Sequence, residues 1–194
     1  MPKKPLPTGE EPPKGYESIL STKSDSEGLY VDCAFISQLA RIELEEIEAM
    51  RRLAFRGISS LVGLTNEVIS FDREINILPG KEASDKLLFR AHTGKTLTGY
   101  ALVVMGWPRK DSWVIQHLVI HPEYRLQGIG SAIVSRIEDF ASRSEVEADR
   151  IYAIPLEEDG AQFWQKRGYT VETARLPVKI ADLDHELILY RKEL

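Results

Sequence analysis

The sequence predicts an α/β fold in which a central mixed, mostly antiparallel sheet is flanked by helices. Two observations lead to this prediction. Apolar residues recur at helical spacing between Arg41 and Asp72, and at strand spacing from Lys86 onward. From Trp113, strand-like and helical segments alternate, and two strand-like segments end the chain. With 194 residues, of which 43% are hydrophobic, the chain is long enough to bury one such core.

The N-terminal segment has the composition of a tail. Five of the ten prolines and three lysines lie between Met1 and Gly15. Such a segment cannot bury apolar surface, so we expect residues 1–17 to form a flexible tail and residues 18–194 to form one domain. No apolar run has the length of a membrane span, and the lysines are not followed by the apolar core of a secretory signal. We therefore expect a cytoplasmic protein that does not associate with membranes.

The first half of the predicted domain contains one strand and two helices. The largely apolar stretch Leu29–Leu39 favours an opening strand, and Ser60–Asp72 has the spacing of a second helix. Between them, Arg41–Arg56 predicts a first helix with charged residues on one face and Gly57 as its end. The apolar stripe of this first helix comprises Ile42, Ile47, Met50, Leu53 and Ala54.

The second half is predicted to supply most of the sheet. A polar turn, His92 to Thr96, joins the first two strands as a hairpin, and the last two strands form a closing antiparallel ribbon. The predicted strands are Lys86–Ala91, Leu97–Gly106, Trp113–Ile120, Arg150–Pro155, Thr170–Val178 and Leu183–Arg191. The predicted helices are Gly130–Ser142 and Asp159–Arg167, and Gly168 closes the latter.

Charge and cysteine content exclude several classes of function. The net charge of -5 argues against a dedicated nucleic-acid-binding protein. Cys33 is the single cysteine, so the chain has no intramolecular disulfide framework and no multi-cysteine metal site, and we expect a buried apolar thiol. No cluster of His, Asp and Glu has the spacing of metal ligands, so we expect no metal.

The segment from Leu118 to Ser131 is the most informative part of the sequence. A hydrophobic strand leads into a polar turn with Gly128 and Gly130, and a helix follows. At the start of a helix, free backbone N–H groups and the helix dipole favour an anion, and glycine lets the backbone approach it closely. The pattern Arg125-x-x-Gly128-x-Gly130 therefore predicts a pyrophosphate cradle. It has two of the three glycines that a dinucleotide fingerprint requires.

Three landmarks in order resemble the GCN5-related N-acetyltransferase (GNAT) superfamily. His117 to Phe140 resembles the acetyl-CoA-binding core, whose signature is [Arg/Gln]-x-x-Gly-x-[Gly/Ala] after a strand that ends in an aliphatic residue, one residue and a proline. Phe163 to Tyr169 resembles the second landmark of the family, and Leu187 to Leu194 resembles its closing strand. The resemblance covers most of the chain and implies the GNAT-type acyl-CoA N-acyltransferase fold.

The resemblance also implies which residues bind the acetyl-CoA co-substrate. Backbone amides of the turn would hold the pyrophosphate, and the strand before it would bind the pantetheine arm through its free backbone groups. One N–H of this strand would polarise the thioester carbonyl. The implied residues are Leu118, Val119, Ile120, Arg125, Leu126, Gln127, Gly128, Ile129, Gly130 and Ser131, with Lys166 as a nearby cation.

The acid and base of the reaction are not evident from the match. Trp164 stands where many family members have a tyrosine that protonates the leaving thiolate, and indole is no useful proton donor. Val114 and Gln116 occupy the usual base positions, and neither titrates. The candidates that remain are His117, predicted to face away from Gln116, and Tyr169, followed by Tyr124 and Glu157. We interpret His121 as structural and expect His92 and His185 to be solvated.

The resemblance implies an acetyl-CoA-dependent N-acetyltransferase. A primary amine of a small molecule, peptide or protein would attack the thioester directly in a ternary complex. The alternative is a regulatory module that binds CoA or acyl-CoA with little or no turnover. In the family, the acceptor pocket is built by segments that match Arg41–Pro79 and Leu176–Asp184 in this chain. Neither segment contains a motif that identifies the acceptor. The choice between monomer and homodimer also stays open.

Overall fold

The computed structural model describes residues 28–54, 85–143, 148–155, 158–180 and 183–194. Within these residues the chain forms seven strands and three α-helices, with short 3-10 turns at Ile36–Gln38 and Pro122–Tyr124. The strands are β1 (Leu29–Phe35), β2 (Lys86–Thr93), β3 (Thr96–Met105), β4 (Ser112–Ile120), β5 (Arg150–Ala153), β6 (Thr170–Ile180) and β7 (Leu183–Glu193). The helices are α1 (Arg41–Ala54), α2 (Ile129–Arg143) and α3 (Glu158–Lys166).

One sheet contains all seven described strands, in the order β1-β2-β3-β4-β5-β7-β6. Strand β4 pairs with β5 in parallel, and each of the other neighbouring pairs is antiparallel. The predicted mixed, mostly antiparallel sheet is therefore confirmed. The parallel pair requires a crossover, and α2 supplies it between the end of β4 and the start of β5.

The predicted elements that fall on described residues are all present, with bounds that differ by a few residues. The hairpin strands are longer than predicted, because β2 continues to Thr93 and β3 begins at Thr96. Gly94 adopts a positive φ of 60° in the short turn that remains, which glycine accommodates at little cost. Several predictions lie outside the described residues: the tail, the helix end at Gly57, the helix Ser60–Asp72, the candidate Glu157 and the side chain of His185.

The buried stripe of α1 differs from the predicted one. Ile47, Met50 and Ala54 are buried as predicted, whereas Ile42 and Leu53 are exposed. Arg51 takes the remaining inward position, because residues 47, 50, 51 and 54 share one face at helical spacing. The sequence pattern could not identify Arg51 as buried, since charged side chains are rarely inside a protein.

The sheet has a core on each face. On one face α2 packs through Ile133, Ile137 and Phe140, and the Phe140 ring lies edge-on to Phe89 with centroids 5.7 Å apart. On the other face α1 packs against residues that include Leu102 and Val119. The two cores place α1 and α2 on opposite sides of the end of β4.

Arg90 connects β1, β2 and α1 through ion pairs. Its Nε and Nη2 donate to the two carboxylate oxygens of Asp32 at 2.8 and 3.1 Å, and Nη1 donates to Glu43 on α1. The hydrogen bond from Arg90 holds the pKa of Glu43 below its usual value of 4.5. A carboxyl with a lowered pKa stabilises the folded state above its unfolded pKa, and the stabilisation is lost as the pH falls through the folded pKa.

We expect Arg90→Gln to destabilise the protein by about 1–2 kcal/mol at pH 7, because it removes the ion pairs with Asp32 and Glu43. The loss is no larger because these ion pairs are partly exposed to solvent. Between pH 5 and 3, the free energy of unfolding of the variant should also fall by less than that of the wild type. Urea unfolding at several pH values measures both effects. Arg41→Gln is the control, since its pair with Glu45 is largely exposed and should contribute almost nothing. Equal acid dependence in the wild type and in Arg90→Gln would contradict the prediction.

Candidate active site

A cleft of about 550 Å³ opens where β4 and β5 separate. The two strands pair from Ser112↔Arg150 to Ile115↔Ala153, and the N–H of Ile154 donates to the carbonyl of Ile115 at 3.2 Å. Beyond this point β4 continues to Ile120 without a described pairing to β5. Its end forms one wall of the cleft, and Ile154 and Pro155 contribute to the lining from the β5 side.

A β-bulge lies in β4 at the point of divergence. Across the β3–β4 pair, Leu102 lies opposite His117 while Val103 lies opposite Ile115, so Gln116 is an extra residue. Bulges bend their strand and increase its local twist. The bulge therefore accounts for the divergence of β4 from β5.

The backbone of β4 presents polar groups to the cleft. The N–H of His121 donates to the carbonyl of Thr98 on β3 at 3.0 Å. Because the polar groups of successive residues alternate between the two edges of a strand, those of Leu118 and Ile120 point away from β3. The Ile120 carbonyl accordingly accepts from Nε of Arg125 at 3.4 Å. The Leu118 N–H thus points into the cleft, where it could polarise a carbonyl.

The turn after β4 forms the mouth of the cleft. Leu126 and Gly128 have positive φ angles of 62° and 82°, so the chain reverses sharply before α2 begins at Ile129. The first hydrogen bond of the helix runs from the Ala132 N–H to the Gly128 carbonyl at 3.0 Å. The N–H groups of residues 129–131 therefore have no acceptor within the helix. Together with the helix dipole, they form a site for an anion.

The two glycines of this region differ in whether their positions require glycine. A Cβ added to Gly128 would meet nothing within 4 Å, so glycine is required there by the positive φ. A Cβ added to Gly130 would lie 3.6 Å from the Phe163 ring and 3.7 Å from Leu118 Cδ2. These are ordinary van der Waals distances, so the methyl group of an alanine would fit at residue 130.

A match between the sequence and a family model decides the family. Residues 58–169, more than half of the chain, match the model of the acetyltransferase (GNAT) family. The chain belongs to the GNAT family. The GNAT fold is also that of many solved structures, although no curated protein matches the sequence.

Three solved structures illustrate the likeness in fold. An acetyltransferase from Thermus thermophilus is 18% identical, with 84% of this chain and 97% of the other covered and a TM-score of 0.59. The PaiA N-acetyltransferase from Thermoplasma acidophilum, in complex with coenzyme A, is 19% identical over 85% and 99% with a TM-score of 0.57. A GNAT family acetyltransferase from Elizabethkingia anophelis with acetyl-CoA bound is 12% identical over 87% and 100% with a TM-score of 0.54.

In this GNAT structure, most of the predicted co-substrate residues line the cleft. Gln127 does not line it, and its side-chain Nε2 donates to the carbonyl of Glu123 at 3.1 Å. Lys166 is exposed on α3 and is also absent from the lining. The predicted residues in the lining are Leu118, Val119, Ile120, Arg125, Leu126, Gly128, Ile129, Gly130 and Ser131.

Other lining residues were not among the predicted co-substrate residues. Phe163 and Trp164 belong to the second sequence landmark, so that landmark could have placed them at the cleft. Tyr124 lies within the motif segment and was one of the acid–base candidates from the sequence. Nothing in the sequence pattern marks the other four, because they approach the cleft from different elements. These residues are Ala54, Ile154, Pro155 and Gly160.

The predicted orientation of His117 was wrong. Because His117 lies opposite Leu102, and Val114 lies opposite Val104 two residues further along β3, His117 and Val114 share a face of the sheet. The prediction assumed unbroken alternation, and the bulge at Gln116 breaks it. His117 is buried on the side of α1, and burial, together with the charge of Arg51, lowers its pKa from 6.5 to about 3.

We expect the pKa of His117 to make the fold sensitive to mild acid. Between pH 6.5 and 3 the unfolded chain binds a proton that folded His117 does not, so stability falls as the pH falls below 6.5. The expected loss at pH 5 is about 2 kcal/mol. Urea unfolding at pH 7, 6 and 5 should show this slope in the wild type and a shallower one in His117→Gln. His92, whose pKa burial also lowers, adds a background that cancels in the comparison.

Tyr169 lies in the core beside the cleft and is absent from its lining. Its hydroxyl donates to Glu138 Oε1 at 3.2 Å, and its ring packs edge-on against Trp164 with centroids 5.0 Å apart. Lys192 Nζ lies 5.7 Å from the centre of the ring. Burial and the neighbouring Glu138 raise the pKa of Tyr169. These contacts favour a structural role, because the phenol is committed to a carboxylate that links α2 to β7.

The remaining candidates from the sequence are placed by their contacts. Cys33 is buried, and burial raises the pKa of its thiol, as expected for a core residue. His121 is structural, since its Nδ1 accepts from the N–H of Glu123 at 3.3 Å. His92 was expected in solvent, yet it is half-buried and stacks on Tyr30 with ring centroids 5.0 Å apart.

The described residues show neither a metal-binding cluster nor a membrane-spanning helix. No group of three or more His, Cys, Asp and Glu residues there is arranged to hold a metal ion. None of the described helices combines the length and the apolar character needed to cross a membrane.

Proposed function

We propose that this protein is an acetyl-CoA-dependent N-acetyltransferase that acetylates a primary amine of a small molecule, peptide or protein. The observation that carries the proposal is the cleft between β4 and β5, which opens directly onto the anion site at the start of α2. Membership of the GNAT family supports this reading, as do relatives of the same fold with CoA or acetyl-CoA bound.

The residues present fit the parts of acetyl-CoA. The N–H groups of Ile129, Gly130 and Ser131 would bind the pyrophosphate, since they have no acceptor within α2 and lie at its positive end. The open space beside Gly128 leaves room for the phosphate oxygens. The free edge of β4 would bind the amides of the pantetheine arm as a neighbouring strand would. The apolar lining from Phe163 and Ile154 suits the methylene groups of that arm.

In the reaction, the amine nitrogen forms a bond to the acetyl carbon and the carbon–sulfur bond breaks. The N–H of Leu118 would stabilise the negative charge that develops on the carbonyl oxygen. The amine must be neutral before it attacks, and its proton must leave. His117 is a poor acceptor for that proton, because a group with a pKa near 3 does not retain a proton at neutral pH. We propose that the proton passes to ordered water and that positioning supplies most of the rate.

The alternative is a module that binds CoA with little turnover. The observation that supports it is the chemistry of the cleft lining. Tyr124 and Arg125 are its two titratable residues among those described, and Trp164 offers no proton to the thiolate. A site with so little acid–base chemistry can bind acetyl-CoA well and still transfer its acetyl group slowly.

Calorimetric titration with CoA and acetyl-CoA tests the binding that both readings share. Release of free thiol from acetyl-CoA, measured against amino acids, polyamines and lysine peptides with a blank lacking amine, separates them. We expect binding, and thiol release that rises with pH through the pKa of the attacking amine. Binding without release on any amine would favour the module, and absence of binding would overturn both readings.

A further inference from the structure

Arg125 makes contacts that a cation for phosphate binding does not require. Its Nε donates to the carbonyl of Ile120 at the end of β4, and its Nη2 donates to the carbonyl of Ala54 in α1, both at 3.4 Å. Nε and Nη2 lie on the same edge of the planar guanidinium, which is suited to two acceptors at once. The side chain thus joins two elements that are 71 residues apart in the chain.

Both acceptors of Arg125 belong to residues that line the cleft. Ile120 ends the strand that the co-substrate would follow, and Ala54 contributes the lining from α1. The first turn of α1 is held separately, by the ion pair of Glu43 with Arg90 on β2. Arginines therefore hold α1 at both of its described ends, and Arg125 holds the end that faces the cleft.

We propose that Arg125 is a positioning residue, whose guanidinium holds α1 against the end of β4 and so sets the width of the cleft. The inference rests on the proposed function for its kinetic consequence but not for the contacts themselves. The pyrophosphate would then be bound by the backbone N–H groups of residues 129–131, without a direct contact from Arg125. If this wall of the cleft moves, the rate of acetyl transfer should fall, because the reacting groups need close alignment.

The test compares Arg125→Gln and Arg125→Lys with the wild type. Arg143→Gln is the control for charge, since it removes an exposed cation at the far end of α2. Hydrogen exchange of the peptide that contains residues 50–54 reports on the end of α1 in the ligand-free protein. Calorimetry gives the Kd of CoA at low and high salt, and thiol release gives kcat and KM with the best amine.

We expect Arg125→Gln to speed exchange at the end of α1 by about fivefold, with unchanged exchange in α2. The Kd of CoA should change by less than about threefold and keep its salt dependence, while kcat/KM for the amine falls by about tenfold. The exchange rate and kcat/KM of Arg125→Lys should lie between those of the wild type and Arg125→Gln. A single ammonium group cannot bind both carbonyls as the planar guanidinium does.

A rise of about tenfold or more in the Kd of CoA, with unchanged exchange in α1, would overturn the proposal in favour of a phosphate contact. Unchanged exchange with unchanged kinetics would also overturn it. If the wild type binds no CoA, the proposed function fails, and the exchange comparison alone still decides whether Arg125 holds α1.

Discussion

Gly128→Glu is expected to weaken CoA binding by about 100-fold or more. The substitution puts a carboxylate beside the N–H groups that would bind the pyrophosphate, where it competes for them and repels the phosphates. A Cβ at this position would meet no atom within 4 Å, so the new side chain has room where it leaves the backbone. The positive φ of 82° nevertheless strains any residue other than glycine, at a cost of about 1–2 kcal/mol in stability.

Two matched variants separate the charge from the strain. Gly128→Ala has the same backbone strain without the charge and should bind CoA within about tenfold of the wild type. Gly94→Glu has a positive φ of 60°, open surroundings and the same new charge, but it lies in the β2–β3 hairpin and should bind CoA normally. Calorimetric titration of the three variants measures the difference. A wild-type Kd in Gly128→Glu would show that the phosphates bind elsewhere.

Gly99→Ala is expected to cost about 1–3 kcal/mol in stability and to weaken CoA binding as well. Gly99 lies on β3 opposite Ile120, and an added Cβ would come within 2.8 Å of Ile120 Cδ1 and 3.1 Å of the Val119 carbonyl oxygen. The end of the Ile120 side chain must therefore move aside, and the Val119 carbonyl at the end of β4 must shift by a few tenths of an ångström. Since this end forms a wall of the cleft, the change in packing should narrow or tilt the binding surface.

A double-mutant cycle tests this explanation. Ile120→Val removes the methyl group that the new Cβ would strike first, so it should recover about half or more of the stability lost by Gly99→Ala. The affinity for CoA should recover in parallel, which urea unfolding and calorimetry measure on the same four proteins. Strict additivity of the two substitutions would show that the contact with Ile120 is not the cause.

Much of the fold could be predicted because its information is local. The nearly continuous apolar runs of β2, β3 and β4 are typical of strands that are buried on both faces. The helical spacing of Ile133, Ile137 and Phe140 indicates the buried face of α2. The cradle could be predicted for the same reason. A strand, a turn with Gly128 and Gly130 and a helix are contiguous, so their geometry follows from nearby residues alone.

The sequence by itself thus determined the GNAT fold and the strand, turn and helix that form the proposed anion site. The tertiary structure decided which side chains face the cleft, because those positions depend on contacts between distant segments. One extra residue at Gln116 reverses the face of His117, and no alternation pattern reveals a bulge. The sequence predicted Arg51 on the charged face of α1 and Arg125 in the cradle. The approach of α1 to β4 buries Arg51 and gives Arg125 two backbone carbonyls to bind.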